Sequence, residues 1–439
     1  MTHRLFLGAA AYAALISGAL PATAAPATTA AITAVAVTSS DRLPAASAVA
    51  RFYEARQRPL WSRSPDAVAV LVEALRTAPI DGLAQGPDLA AAIERALSEA
   101  NAGLPGAARE AERLMSNAFV LHAQALKWPG RAGMIFTDPS LAPRVPTPAE
   151  VLEQAAAAPH LAEHVLRTVS INPIHAALRA ATAEDMRVLG TPSRALRASL
   201  ERARLLPSEG RFVLVDVASQ QLMMIEDGAV IDRMKVVVGK PGMQTPLLAG
   251  TLRQVTFNPY WNVPVDLAAT NVARNVLKNG LGWFRSRGFE LLSGWDEAAS
   301  VVDPAAADWQ AIADGRVEAR VRQRPGPANS MGAMKFEFPN DRGIYLHDTP
   351  DKKLFSEAER TFSSGCVRLE DAARLGRWLL GRSPVPSSDR PEYVVALPEA
   401  VPIYLTYLTV RPEAGGHLAY APDVYDLDSG TDRQLAAVR

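Results

Sequence analysis

The run Phe212-Val213-Leu214-Val215-Asp216-Val217, followed by Leu222-Met223-Met224-Ile225, the turn Glu226-Asp227-Gly228 and the stretch Val230 to Val238, decides the fold. Short β-branched segments joined by a glycine turn mark a hairpin or meander. Further strand candidates follow: Leu252 to Phe257, Lys335 to Phe338, Gly343 to His347 and Tyr393 to Leu397. One helix-like stretch, Glu370 to Leu380, sits among them. Residues 207–410 therefore read as a mainly β unit. Upstream, residues 43–206 are rich in Ala, Leu and Arg, with apolar residues at spacings of three and four, which predicts helices. That region opens on Phe52-Tyr53 and Leu60-Trp61 and is interrupted at Asp81-Gly82-Leu83 and from Pro139 to Pro148. Its last helix is expected over Leu196 to Leu206, ahead of Pro207. The fold class is α+β, an N-terminal α-helical domain followed by a mainly β one.

Between Val265 and about Arg324 the β pattern breaks off. This segment holds Trp283, Trp295 and Trp309 and a helical stretch near Ala305 to Ala313, with Pro304 suited to a first turn. An insertion of this length (about 266–324) is either a surface ornament or a lid over an active site, and the candidate chemistry just after it points to a lid. From Arg411 to Arg439 the chain is Gly- and Asp-rich, with Tyr420 and Tyr425, and reads as a mobile tail.

The N-terminus has the plan of a secretory signal: Arg4, an apolar run from Leu5 to Leu20, and a small-residue cleavage site at Ala22-Thr23-Ala24. Residues 1–24 are expected to be removed before Ala25, leaving 25–42 as an Ala/Thr-rich linker and the protein in the periplasm. The alternative, a retained anchor, meets a short apolar run closed by Pro21. No cysteine follows that run, which speaks against a lipoprotein, and no later segment is long enough to span a membrane. Lys+Arg and Asp+Glu are equal at 46 each, which argues against nucleic-acid binding through bulk charge.

Cys366 is the only cysteine in the chain. Exported proteins that use cysteine structurally carry pairs, so a lone thiol is either a buried small hydrophobe or a reactive group. It stands in Phe362-Ser363-Ser364-Gly365-Cys366-Val367-Arg368, a small, turn-prone approach that can expose amides to an oxyanion. A thiolate nucleophile needs a base or cation beside it. Of the seven histidines, His3 lies in the signal, His122, His160, His164 and His175 in the helical region, and His417 in the tail. His347, at the end of Ile344-Tyr345-Leu346-His347 and nineteen positions before Cys366, is the remaining candidate base. Strand alternation puts Tyr345 on the face of His347. Asp348 is no candidate to orient His347, because strand neighbours face apart. On spacing alone, this Cys–His pair is no better than a surface histidine and a buried thiol.

The stretch His347 to Arg368 resembles the signature of the YkuD-type L,D-transpeptidase catalytic domain: a histidine, a spacer of this length, then Ser/Thr-x-Gly-Cys, an aliphatic residue and Arg or Asn. Many members have a histidine immediately before the glycine; this chain has Ser364, as in the larger periplasmic branch called YcbB-like. Four other blocks are similar to that branch: Val238-Gly239-Lys240-Pro241-Gly242-Met243-Gln244-Thr245-Pro246, Asn258-Pro259-Tyr260-Trp261-Asn262-Val263-Pro264, Arg322-Gln323-Arg324-Pro325-Gly326 with Asn329, and Lys335-Phe336-Glu337-Phe338-Pro339-Asn340. The helical region looks like that branch's scaffold domain. A separate peptidoglycan-binding module is not evident.

The resemblance implies that Cys366 attacks a carbonyl of a peptidoglycan stem peptide, with His347 as general base and acid, and that an acceptor amine resolves the thioester, forming 3-3 cross-links by the family default. It implies oxyanion or substrate roles for Gly365, Tyr345, Arg368, Ser364 and Ser363, and a groove holding Trp261, Tyr260, Asn258 and Arg324. Core packing, loop structure or a solvated charge are the alternatives for those four. No metal or organic cofactor is implied, and no histidine cluster has zinc spacing. Competing readings keep the site but let water or a D-amino acid accept the acyl group, as in a carboxypeptidase, amidase or exchange enzyme, or leave a non-catalytic wall-binding scaffold. The pairing predicts that Cys366→Ala and His347→Ala each abolish acyl transfer by purified protein while leaving the fold intact. Cross-linking retained by either variant refutes the assignment.

Overall fold

The computed structural model of the chain describes residues 40–128, 132–296, 298–413 and 415–429. The expected signal peptide and residues 25–39 of the linker lie outside the described residues. The last linker residues, Ser40–Arg42, form a 3-10 turn, and Ser40 donates its amide and hydroxyl to the Glu110 carboxylate at 2.6 and 2.8 Å.

Eight helices make up the N-terminal part: α1 (Ala46–Arg56), α2 (Pro65–Arg76), α3 (Gly86–Asn101), α4 (Ala107–Lys127), α5 (Pro148–Ala157), α6 (Leu161–Ser170), α7 (Pro173–Leu189) and α8 (Arg194–Ala203). Local sequence sets their starts. Proline occupies the first turn of α2, α5 and α7, where its missing N–H costs nothing. Thr147 and Glu150 form a reciprocal capping box on α5. The apolar stripes meet around Trp61, Leu71, Leu75, Ile93 and Phe119. A buried carboxylate organises the entry loop: Glu112 accepts the backbone N–H groups of Leu60, Trp61 and Ser62 and the Tyr53 hydroxyl. Burial raises its pKa, but those hydrogen bonds outweigh that and hold it below the usual carboxylate range. The Phe52-Tyr53 and Leu60-Trp61 blocks are thus the two sides of one polar knot.

The strands follow as β1 (Ile135–Phe136), β2 (Arg211–Asp216), β3 (Gln221–Glu226), β4 (Ala229–Gly239), β5 (Leu248–Phe257), β6 (Trp261–Asn262), β7 (Phe289–Leu292), β8 (Val301–Val302), β9 (Arg320–Gln323), β10 (Met334–Glu337), β11 (Leu346–His347), β12 (Thr361–Ser363), β13 (Val367–Leu369), β14 (Tyr393–Thr406), β15 (Val410–Pro412) and β16 (Leu418–Tyr420). The main sheet runs β1-β5-β10-β11-β13-β4-β3-β2-β14, with β12 on β4. Strand β14 pairs parallel with β2 and antiparallel with β5, so the sheet closes on itself and leaves few free edges. Inside the ring Val213, Val215, Leu252, Phe336, Leu346, Val367 and Ile403 pack together, with Leu375 and Leu379 of the helix Ala372–Leu380. The alternate residues Phe212 and Leu214 face a second cluster with Leu206, Ala249 and Tyr404. Burial on both sides explains why β2 reads as an unbroken apolar run.

The insertion builds its own sheet, β6-β9-β7-β8, around Phe284, Trp309 and Val321. Its main helix is Arg274–Ser286, and the expected helix near Ala305 to Ala313 shortens to Trp309–Ala313 behind a 3-10 turn.

Two boundaries need correction. Residues Ile135–Phe136, inside the helical region and just ahead of the Pro139 to Pro148 stretch, add a strand parallel to β5 of the main sheet. The expected mobile tail is instead structured over residues 411–413 and 415–429, and its remainder, 430–439, lies outside the described residues. Strands β15 and β16 form a hairpin. Tyr425 stacks on Tyr407 with ring centroids 5.3 Å apart. Asp428 accepts from Arg202 at 2.7 Å and from the Thr409 hydroxyl at 2.7 Å, with the two charged side chains only 3% and 6% exposed. Gly and Asp here serve turns, not disorder. Removing one partner of a buried pair strands the other charge, so Asp428→Ala should cost about 3–5 kcal/mol. Urea unfolding followed by circular dichroism reads that loss, and an unchanged midpoint contradicts the latch.

Candidate active site

Strand β11 is two residues long, yet it fixes the site. It pairs antiparallel with β10 and parallel with β13. The registers place Lys335 opposite His347 and His347 opposite Arg368, with Thr256 and Val237 continuing the row. Leu346, Val367 and Leu369 point into the core. By alternation His347, Arg368 and Cys366 share the opposite face. The sulfur and the imidazole thus stand diagonally across two neighbouring strands.

Tautomer is decided by a backbone carbonyl. His347 Nδ1 lies 2.6 Å from the Asp348 oxygen. A carbonyl only accepts, so Nδ1 carries the proton and Nε2 keeps its lone pair. Asp348 does orient the histidine, through its main chain. Its carboxylate, as alternation requires, faces elsewhere and binds Lys352 Nζ at 2.7 Å and the Ala333 amide at 2.9 Å. His347 is 4% exposed. Burial, then Arg368, lower its pKa to about 4, with Lys335 adding to that and the Asp348 contacts opposing it.

Cys366 is half-buried. Its thiol donates to the Gly343 carbonyl at 3.5 Å, so in this structure the sulfur's partner is the main chain and not the imidazole. Burial pushes the thiol pKa up, against the Tyr345 backbone and the Arg368 charge. Burial thus disfavours the charged form of both groups, the thiolate and the imidazolium.

The loop carrying Cys366 is tightly braced. Ser363 Oγ donates to the Cys366 carbonyl at 2.6 Å and accepts from the Gly365 amide at 3.1 Å. Thr245 Oγ1 donates to the Gly365 carbonyl at 2.7 Å and accepts from the Gly239 amide at 2.9 Å. Gly365 has φ +115°, a left-handed conformation that a side chain resists, and a Cβ there would meet Ile344 at 3.2 Å. These bonds correct two expectations. Ser363 is a buried brace whose hydroxyl is spent on the backbone of Gly365 and Cys366, and the Gly365 N–H is already engaged, so it is not free for an oxyanion. The Cys366 amide has no partner among the described residues and is the donor left free.

Tyr345 is half-buried. Burial raises the pKa of its phenol, Lys335 opposes that, and Cys366 and Glu337 add to it. Arg368 is also half-buried, with Nε unpartnered. Ser364 is exposed.

The four expected groove residues have partners in and around the insertion. Trp261 packs on Phe289 within the insertion. Tyr260 stacks under Arg322 at 4.2 Å. Asn258 takes a left-handed φ of +49° at a bend, and Arg324 pairs with Glu290 at 3.6 Å. All four lie in the two stems of the insertion, which Asn329 ties together by donating to the carbonyls of Pro259 and Arg324. The residue that sequence reasoning passed over is Lys335. Its only signal was that it heads one of the family-like blocks.

Residues 210–386 match the L,D-transpeptidase catalytic domain (YkuD), and residues 47–181 match a scaffold domain. A Haemophilus influenzae protein named "Putative L,D-transpeptidase" is 32% identical over 248 residues, 55% of this chain and 48% of that protein. The chain thus spans about half the length of that curated relative. Among solved structures, an L,D-transpeptidase from Mycobacterium smegmatis aligns over 46% of this chain and 60% of its own, at 14% identity and a TM-score of 0.22. A Bdellovibrio bacteriovorus protein aligns over 53% of this chain and 57% of its own, at 16% identity and a TM-score of 0.19.

The buried imidazole makes stability depend on pH. An unfolded histidine titrates near 6.5 and the folded His347 at about 4, so in that window the unfolded state binds the extra proton. Stability is whole above pH 6.5 and drains as pH falls toward 4. His347→Gln should flatten that slope without abolishing it, because buried His175 is lowered to about 4 as well. Urea midpoints at pH 4.5 and 7 measure the effect; parallel slopes for both proteins refute it.

Proposed function

Since the chain carries a YkuD L,D-transpeptidase catalytic domain behind a scaffold domain, we propose that it is a cysteine acyltransferase that cross-links peptidoglycan stem peptides in the periplasm. One observation carries the mechanism: the imidazole nitrogen left free by the Asp348 carbonyl belongs to a side chain on the same sheet face as the only thiol.

In this reading the donor stem enters over Arg368, whose partly buried guanidinium takes a peptide carboxylate or carbonyl. Rotation of Cys366 about its Cα–Cβ bond carries the sulfur from Gly343 toward His347. Nε2 accepts the thiol proton as sulfur attacks the carbonyl between diaminopimelate and the terminal D-Ala. The oxyanion is met by the Cys366 amide and the Tyr345 hydroxyl; loss of one such donor typically costs about 10²–10³ in rate. The tetrahedral adduct collapses, the C–N bond breaks, and His347 returns the proton to the leaving amine. An acceptor amine then attacks the thioester and yields its proton to His347, and the thiol is regenerated. The insertion acts as a lid over this exchange. A second diaminopimelate as acceptor gives the 3-3 linkage.

The test is purified protein with defined muropeptides, read by mass spectrometry. Cross-linked dimers are expected. Trimmed monomers alone make the enzyme a carboxypeptidase, and inert substrate with retained sacculus binding makes it a scaffold. Incubation with a carbapenem should add one acyl mass at Cys366, and the Cys366→Ala protein should show none.

A further inference from the structure

Lys335 is directly opposite His347 on the adjacent strand. The amide of Asp348 donates to the Met334 carbonyl at 2.9 Å, which makes Lys335 and His347 a non-hydrogen-bonded pair, the kind whose side chains approach most closely. The ammonium lies 5.4 Å from the centre of the Tyr345 ring. It is 3.0 Å from a Glu337 oxygen and 4.0 Å from a Glu392 oxygen, and the side chain is only 12% exposed. Glu337 is held in turn by the Thr256 hydroxyl at 3.2 Å, and Glu392 by the Tyr260 amide at 2.6 Å. A lysine so fixed is no solvated surface charge. It sits in one row with the imidazole and with Arg368 beyond it.

We propose that Lys335 is a positioning residue for the Cys366–His347 pair: anchored by Glu337 and Glu392, it props the Tyr345 ring beside the sulfur and, with Arg368, brackets the imidazole between two fixed cations. This rests on the acyltransferase reading above but adds a part to it. The groups acting on the imidazole are Lys335 from β10, Arg368 from β13, and Asp348, by carbonyl and carboxylate, from its own strand end. Two cations against one carboxylate favour the uncharged ring, which alone can take the thiol proton. Without the lysine, Glu337 and Glu392 are left uncompensated beside Tyr345, and their field invites a proton onto the ring.

The experiment is alkylation of the full chain by iodoacetamide from pH 4 to 8, which needs no substrate. In the native protein the rate should fall on the acid side as His347 protonates. Lys335→Met should move that acid limb upward by about 0.5–1 pH unit, and Lys335→Arg should restore it. Glu337→Gln should move it the other way. A lysine that served only packing would slow the reaction equally at every pH. If Lys335→Met, shown folded by circular dichroism, keeps the native limb, the inference is overturned while the Cys–His assignment stands. If His347→Gln alkylates with the native pH profile, the assignment fails and the inference goes with it.

Discussion

The site depends on the register of a two-residue strand. Leu346 is wholly buried and pairs with Phe336 on one side and Val367 on the other. Because side chains alternate, locking Leu346 into the core commits His347 to the opposite face, between Lys335 and Arg368. A slip by one residue would turn the imidazole into the core and a leucine onto the reactive face. The hydrophobic core therefore decides the chemistry without touching it. It also dries the imidazole, so burial favours the uncharged ring and the protonated thiol.

Around that row the polar groups are nearly all committed. The Ser363 and Thr245 hydroxyls spend themselves on the main chain of the Cys366 loop. Among the described residues, the groups left without a partner include the Cys366 amide, the Tyr345 hydroxyl, the second imidazole nitrogen and Nε of Arg368. Preorganised sites work because donors are already in place when charge develops.

Much of this was legible in the sequence because it rests on local rules. Proline and glycine punctuation, apolar periodicity and the abrupt change at Arg211 give the helices, the meander of β2 to β4 and the insertion. The lone thiol and the one histidine of the β unit give the candidate pair. What could not be read depends on distant partners. Asp348 matters through its carbonyl, which no residue type reveals. Lys335 owes its place to a strand pairing. Trp261 and Tyr260 look like groove aromatics until the insertion supplies Phe289 and Arg322 to cover them. The Gly- and Asp-rich tail reads as disordered because its contacts lie with Arg202 and Gly239, some two hundred positions earlier.

That tail gives the molecule an order of assembly. The Tyr425 hydroxyl donates to the Gly239 carbonyl, next to the Thr245 hydroxyl that steadies Gly365. The nucleophile loop is thus finished by a residue made well after Cys366, across contacts of a sequence separation that closes slowly. While the nascent chain is still emerging, its thiol sits in an unfinished cradle. The brace around that loop closes only once the chain has been made as far as Tyr425.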